Sequence, residues 1–219
     1  MDHLMYLLVF LPMAAAIVSY LIGRKSKIGR DCFLRLVLLA EFALSLALLT
    51  GSGEGEMVSL SGVCGLGLHF TVDGFRRIYV VIAALMWLVS GQFSPEYLAH
   101  YRNRNRYYLF VLVTLGATVA IFLSADLYTT FVFFELMSLC SYVWVVQDEK
   151  PDSLRAGGTY LAVAVLGGMV LLMGLFLLYH QATAPHLLSD AARPPYSTYT
   201  PHISLPNLRP ISHYPLTDL

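Results

Sequence analysis

The chain has 219 residues, 57% of them hydrophobic and 13% charged, with a formal net charge of +0 and a mean hydropathy of +0.65. Soluble domains carry about 25% charged residues, so the composition excludes an ordinary soluble domain and predicts a polytopic membrane protein embedded in a lipid bilayer. The neutral balance leaves no electrostatic footprint for nucleic acid, which is not expected as a partner, and Cys32, Cys64 and Cys140 stand too far apart to suggest a disulfide framework or a metal site.

Six apolar runs follow, each near the ~20 residues that a bilayer requires. They cover residues 4–22, 32–50, 72–93, 107–123, 126–146 and 156–179 and predict an all-α membrane domain over 1–179. The first run is preceded by Asp2 and His3 and followed by Arg24, Lys25, Lys27 and Arg30. A cleavable signal peptide has the opposite order, so this is read as a retained helix, with Pro12 as a possible kink. The second run holds Arg35 near its start and Glu41 near its centre. Arg35 lies about 120° around the helix from Glu41 and is expected to snorkel toward the headgroups rather than pair with it. A glycine-rich loop then leads to the third run, and its portion 58–72 alternates enough to predict a short hairpin. Asp73 and Asp126 stand at the starts of the third and fifth runs, where capping is the default explanation, and Ser124 is an alternative cap for the fifth.

The basic residues predict the orientation. Arg24, Lys25, Lys27 and Arg30 lie between runs one and two, Arg102, Arg104 and Arg106 between three and four, and Lys150 and Arg155 between five and six. These loops share one side, expected to be cytoplasmic in a cell membrane, with both termini extracytoplasmic. Tyr107, Tyr108, Tyr142, Trp144 and Tyr179 lie toward run ends and fit interfacial anchoring. In the sixth run Gly158 and Ala162, and Ala164 and Gly168, recur at helical spacing. Such small pairs let helix backbones approach, and packing against the fifth helix is predicted. From His180 to Leu219 the chain is rich in proline and lacks an apolar run, so a disordered or extended tail is expected.

The polar residues inside the runs carry the functional reading. Glu135 sits near the middle of an apolar helix, and ionising an isolated acid in hydrocarbon costs at least about 2–3 kcal/mol on insertion scales, so such an acid marks a functional site by default. On a helical wheel Tyr128, Ser138 and Tyr142 fall within roughly 60° of it. A stripe of hydroxyls with one acid suits a proton or ion relay; the bland alternative is a structural acid hydrogen-bonded between helices. Glu41 is the second candidate, for a relay or for structural pairing. No Walker loop, dinucleotide fingerprint, haem-attachment motif or cysteine cluster is present. Catalytic residues, metal ligands and cofactors are therefore all assigned as none.

Three segments carry a family resemblance. Val72-Asp73-Gly74-Phe75, the stretch 97–107 with its tyrosines and arginines, and above all Ala125-Asp126-Leu127 through Phe133-Phe134-Glu135-Leu136-Met137-Ser138 are similar to the antiporter-like membrane subunits. These occur in respiratory complex I (NADH:quinone oxidoreductase), membrane-bound hydrogenases and Mrp-type sodium/proton antiporters. Leu154-Arg155-Ala156 resembles the opening of that family's sixth helix, and the resemblance extends over roughly residues 4–179.

The resemblance implies a proton- or Na+/H+-translocating subunit that does no redox chemistry itself and works beside other membrane subunits. It implies that Glu135 is one half of an ion pair whose other half is a lysine on the next-but-one helix. Family members have about a dozen or more helices, and no lysine falls within the runs predicted here. The expectation is accordingly an N-terminal part of such a subunit, a truncated product, or a split subunit completed by another polypeptide. A structural or assembly module held by helix packing is the alternative from a different class. A self-contained small transporter fits less well, because no paired inverted halves mark a midplane site.

Overall fold

The computed structural model describes residues 2–51, 57–60, 67–101 and 103–191. Six helices follow the six apolar runs: α1 (Asp2–Lys25), α2 (Lys27–Thr50), α3 (Gly74–Tyr97), α4 (Arg104–Leu123), α5 (Leu127–Val145) and α6 (Pro151–Ala191). Each contains a segment long and apolar enough to cross a membrane, which for α6 is Pro151–Gln181. The chain is therefore an all-α polytopic membrane protein.

α1, α2, α4 and α6 begin ahead of their apolar runs, while α3 and α5 begin one or two residues inside theirs, after Asp73 and Asp126, because capping rather than hydropathy decides where backbone turns begin. Ser26 accepts a hydrogen bond from the Gly29 amide at 3.1 Å and starts α2 at Lys27, ahead of the apolar run. Pro151 opens α6, a position where its missing N–H costs nothing. At the other end α6 continues past Tyr179 to Ala191. The change of composition at His180 marks where the apolar run stops, not where the helical backbone stops. The rest of the expected tail, 192–219, and Cys64 lie outside the described residues.

The core sits on α4, against which α1, α5 and α3 pack, while α2 packs on α1 and α3. Leu112, Leu115, Ala117, Val119 and Ala120 of α4 are all buried with Leu8 and Val9 of α1. Gly116 permits the α1–α4 approach: a Cβ there would stand 2.7 Å from the Val9 carbonyl oxygen. Gly91 does the same between α3 and α2, where a Cβ would overlap Leu38. The Trp87 indole N–H donates to the Val111 carbonyl at 3.1 Å and ties α3 to α4. Half of the α4 span is buried, but only 6% of the α6 span.

The predicted hairpin is present. β1 (Met57–Leu60) pairs antiparallel with β2 (Leu68–Thr71) in the register Met57 to Thr71 and Leu60 to Leu68. Its β2 edge reaches the α4–α5 connection, where the Ala125 amide donates to the His69 carbonyl at 2.8 Å. Arg76 and Arg77, the two cations on this otherwise sparsely basic side, are both engaged. Arg76 bonds Asp73 at 2.9 Å and the carbonyls of Phe122 and Ser124, and buried Arg77 donates to the Gly51 carbonyl.

At the opposite, basic end one expectation is corrected. Tyr108 is fully buried rather than placed as an interfacial anchor, because the Arg30 guanidinium lies 4.5 Å over its ring. Arg30 is itself buried, bonds Asp31 and donates to Asn105 at the start of α4. The other aromatics are less enclosed, and Tyr107 and Trp144 pack ring to ring at 6.4 Å.

Candidate functional site

The site is built on α5, whose N-terminal end is held from three directions. Asp126 caps the helix by accepting the Thr129 amide, so Asp126 rather than Ser124 is the N-cap. The Thr129 hydroxyl accepts the His69 amide at 3.0 Å and joins α5 to the hairpin. Ser124 and Thr130 share a hydroxyl–hydroxyl bond of 2.6 Å across the α4–α5 turn, and Phe133 packs on Phe70 with ring centroids 5.8 Å apart. The C-terminal half of the helix is left to face α6.

Glu135 stands on that face, half-buried. Its carboxyl group lies against the backbone of Gly168 on α6, so closely that a Cβ on Gly168 would overlap it. Among the described residues Glu135 makes no hydrogen bond or ion pair. Beside it a groove of about 450 Å³ runs between the two helices, walled by Phe134, Ser138, Thr159, Tyr160, Val163 and Gly168. The groove wall mixes hydroxyls with apolar groups; Glu135 does not line it but meets one of its wall residues, Gly168.

The remaining members of the predicted stripe follow the helix as expected from its period. Ser138 lines the groove, and its carbonyl accepts from the Tyr160 hydroxyl at 3.2 Å. Tyr142 stands one turn further on against Gly157, where a Cβ would come within 3.0 Å of its ring. Tyr128 is half-buried two turns toward the N-terminal end of the helix.

Tyr160 is a site residue that the sequence reading does not nominate. Its hydroxyl bonds the Ser141 hydroxyl at 2.5 Å, placing a polar pair one turn from Glu135's neighbour Ser138. A signal for it exists in the sequence: Tyr160 shares a helical face with Gly157, Ala164 and Gly168. That face, and not the one through Gly158, meets α5; Gly158 has nothing within 4 Å of where its Cβ would be. The predicted pairing through Ala164 and Gly168 thus has the right phase, and the pairing through Gly158 and Ala162 does not.

Glu41 lies elsewhere. It belongs to the buried seam of α2, with Leu34, Val37, Leu38, Ser45 and Leu48, on a helix that packs against α1 and α3. It is 0% exposed, and neither carboxyl oxygen has a hydrogen-bond partner. Arg35 is exposed on the same helix, in keeping with the expectation that it does not pair with this acid. Glu41 and Glu135 are therefore not brought together on one packed face.

A family model described as "NADH:quinone oxidoreductase/Mrp antiporter, TM" matches residues 124–189, which include α5 and most of α6. A Rhizobium meliloti protein, named as a probable K(+)/H(+) antiporter component, is 30% identical over 190 residues, covering 83% of this chain and 35% of that protein. A Staphylococcus haemolyticus protein named "Putative antiporter subunit mnhD2" is 26% identical over 183 residues, covering 81% and 36%. The chain thus spans about a third of the length of the curated relatives it matches. In fold it resembles a chain of the membrane-bound sulfane sulfur reductase, an archaeal respiratory membrane complex, with a TM-score of 0.72 at 17% identity over 80% of this chain and 37% of that one. It also resembles a chain of the Mrp complex from Dietzia sp., with a TM-score of 0.66 at 22% identity over 77% and 18%.

Proposed function

The chain belongs to the proton-antiporter-like family of membrane subunits, and from that premise we propose that it translocates protons, or exchanges protons for a monovalent cation, as part of a multisubunit complex in the plasma membrane. The observation that carries this reading is Glu135: an acid within an apolar helix, half-buried, unpaired among the described residues, and touching a neighbouring helix through a glycine that itself lines a groove. A carboxyl group in that setting takes up and releases a proton as its surroundings change from apolar to charged. Ser138, Tyr142, Tyr128 and Tyr160 supply hydroxyls along the same face, and the cation that would set Glu135's charge comes from outside the described residues. The basic loops are assigned to the cytoplasm and both ends of the six-helix unit to the other side. Residues for electron transfer are not needed in this role; any redox chemistry belongs to companion subunits.

The test is cation-driven proton exchange in everted membrane vesicles that contain the assembled complex. Glu135→Gln keeps the side-chain shape and removes the titratable proton. Exchange is expected to fall to background while the subunit remains in the membrane in normal amount. Wild-type exchange by this variant overturns the proposal.

One observation favours the alternative of an assembly module. The outward face of α6 exposes Leu166, Met169, Val170, Met173 and Phe176, an apolar surface suited to lipid or further helices. Under that reading Glu135→Gln is silent, and only substitutions that disturb the α5–α6 contact reduce recovery of the complex.

A further inference from the structure

A cavity of about 630 Å³ opens at the basic end of the helices, between the α1–α2 turn and the start of α4. Among the described residues four cations line it, Lys27, Arg30, Arg104 and Arg106, and no acid does. Two of the four are compensated from outside the wall: Arg30 by Asp31 at 2.6 Å and Arg106 by Glu149 at 2.9 Å. The other two are not. Lys27 is exposed and has no hydrogen bond or ion pair among the described residues. Arg104 donates to the carbonyl of Ala99, a neutral partner. The Nε of Arg106 is buried without a hydrogen-bond partner, an unused donor on a residue of the wall.

The cavity is also a built one. Arg30 is 2% exposed and fixed by Asp31, Asn105 and the Tyr108 ring, so its charge is held in place before anything binds. Gly23 makes room for that arrangement, since a Cβ there would overlap Asn105 and stand 2.8 Å from the Arg30 side chain. The volume falls in the range of about 300–1,000 Å³ typical of small-molecule sites. Tyr20 and Tyr101 flank it, side chains that favour the membrane–water boundary.

We propose that this cavity binds the phosphate of an anionic phospholipid headgroup. Two cations left without a counter-acid, Lys27 and Arg104, select an anion. The place selects a lipid: the apolar run of α1 ends at Ile22, immediately before the cavity wall at Gly23, so a phosphate held here sits at headgroup depth. Basic pockets between membrane helices recognise lipid headgroups by this chemistry. Arg30 contributes a fixed charge to the wall, and Lys27 and Arg104 supply the uncompensated charge.

The experiment uses the full chain, alone and in its complex, purified in non-ionic detergent. Native mass spectrometry measures retained phosphatidylglycerol, and thermal unfolding is followed with added phosphatidylglycerol, phosphatidylcholine or inorganic phosphate. Phosphatidylglycerol is expected to be retained and to raise the unfolding temperature more than the other two. Lys27→Gln is expected to weaken retention about fivefold, and Lys27→Gln with Arg104→Gln about twenty-fivefold, from roughly one interfacial cation's contribution each. Lys27 touches nothing that holds the fold, so the single variant reads binding even if the double variant unfolds. Arg24→Gln with Lys25→Gln removes two charges from the same turn outside the cavity and is expected to change little. Equal loss in that control overturns the proposal in favour of diffuse surface charge. Equal protection by inorganic phosphate overturns the lipid assignment in favour of a free anion. Retention by the isolated chain but not by the complex gives the cavity to an acidic partner segment instead.

Discussion

Glu41 of α2 and Glu135 of α5 have the same side chain, lie near the middle of similarly apolar helices, and meet different surroundings. Glu41 is sealed into the seam where α2 meets α1 and α3, with both oxygens buried and without partners. Glu135 is half-buried and meets, at Gly168, a single helix whose span is otherwise almost wholly exposed. An acid that carries protons has to exchange them, and exchange needs a path. Glu135 is half-exposed and lies next to the α5–α6 groove through Gly168, whereas Glu41 could reach solvent only by parting packed helices. The contrast teaches that depth in an apolar run nominates both acids, and that access separates them.

The largest effect that could break this contrast is on transport. Glu135→Gln is expected to abolish exchange, and Glu41→Gln to leave it within about twofold, because a sealed and unpartnered group contributes no path. Loss of exchange in both variants would place Glu41 on the pathway as well. Gly168→Ala comes next. Its Cβ must displace the Glu135 carboxyl group, the far end of a flexible, half-buried side chain that can swing aside at little cost in stability, so the variant reads the position of the acid rather than the fold. Exchange is expected to drop markedly, while Gly167→Ala, where nothing lies within 4 Å, serves as the neutral neighbour.

A stability measurement sharpens the other side. Glu41→Leu replaces an unpartnered buried carboxyl group with an apolar one of similar size. It is expected to raise stability in detergent by about 1–3 kcal/mol, the usual cost of an unsatisfied buried polar group. Destabilisation by Glu41→Leu would mean that Glu41 has a partner in the working protein. Asp126→Ala removes the α5 cap and is expected to cost about 0.5–2 kcal/mol, with a smaller fall in exchange because Glu135, near the middle of the helix, also meets α6 at Gly168.

The smallest expected effect is a pH dependence at the exposed start of α3. The Arg76 amide and guanidinium hold the Asp73 carboxyl below the usual carboxylate range. A group with a depressed folded value adds stability above its unfolded value, near 3.9, and loses it as pH falls through the folded value. Asp73→Asn is therefore expected to flatten the acid limb of the stability profile slightly below about pH 4, and to leave its slope at neutral pH unchanged. A wild-type acid limb in Asp73→Asn would remove the charge of this cap as a source of acid sensitivity.

Much of the molecule is legible from chain order. Six helices, their sequence and the hairpin follow from hydropathy, alternation and turn residues, which are local properties. The stripe of Tyr128, Glu135, Ser138 and Tyr142 follows from helical period alone. The family resemblance in the 125–138 segment agrees with the match over residues 124–189. Capping is half legible: Asp73 and Asp126 are candidates from position, but the choice of Asp126 over Ser124 depends on which side chain reaches the Thr129 amide.

What chain order cannot contain is which faces meet. Period alone shows that small residues of α6 form stripes, but the phase that touches α5, through Gly157, Tyr160, Ala164 and Gly168, depends on how two helices lie together. The same holds for Arg30. In sequence it is one of four cations in a turn, and in the fold it is buried by Asp31, Asn105 and Tyr108, contacts that reach across to the start of α4. The sequence by itself determined that this chain crosses a membrane with acids in its helices, because transfer from water to hydrocarbon depends on composition along a run. Only the tertiary structure decided which acid has a groove beside it and which is sealed, because access is a property of neighbouring surfaces.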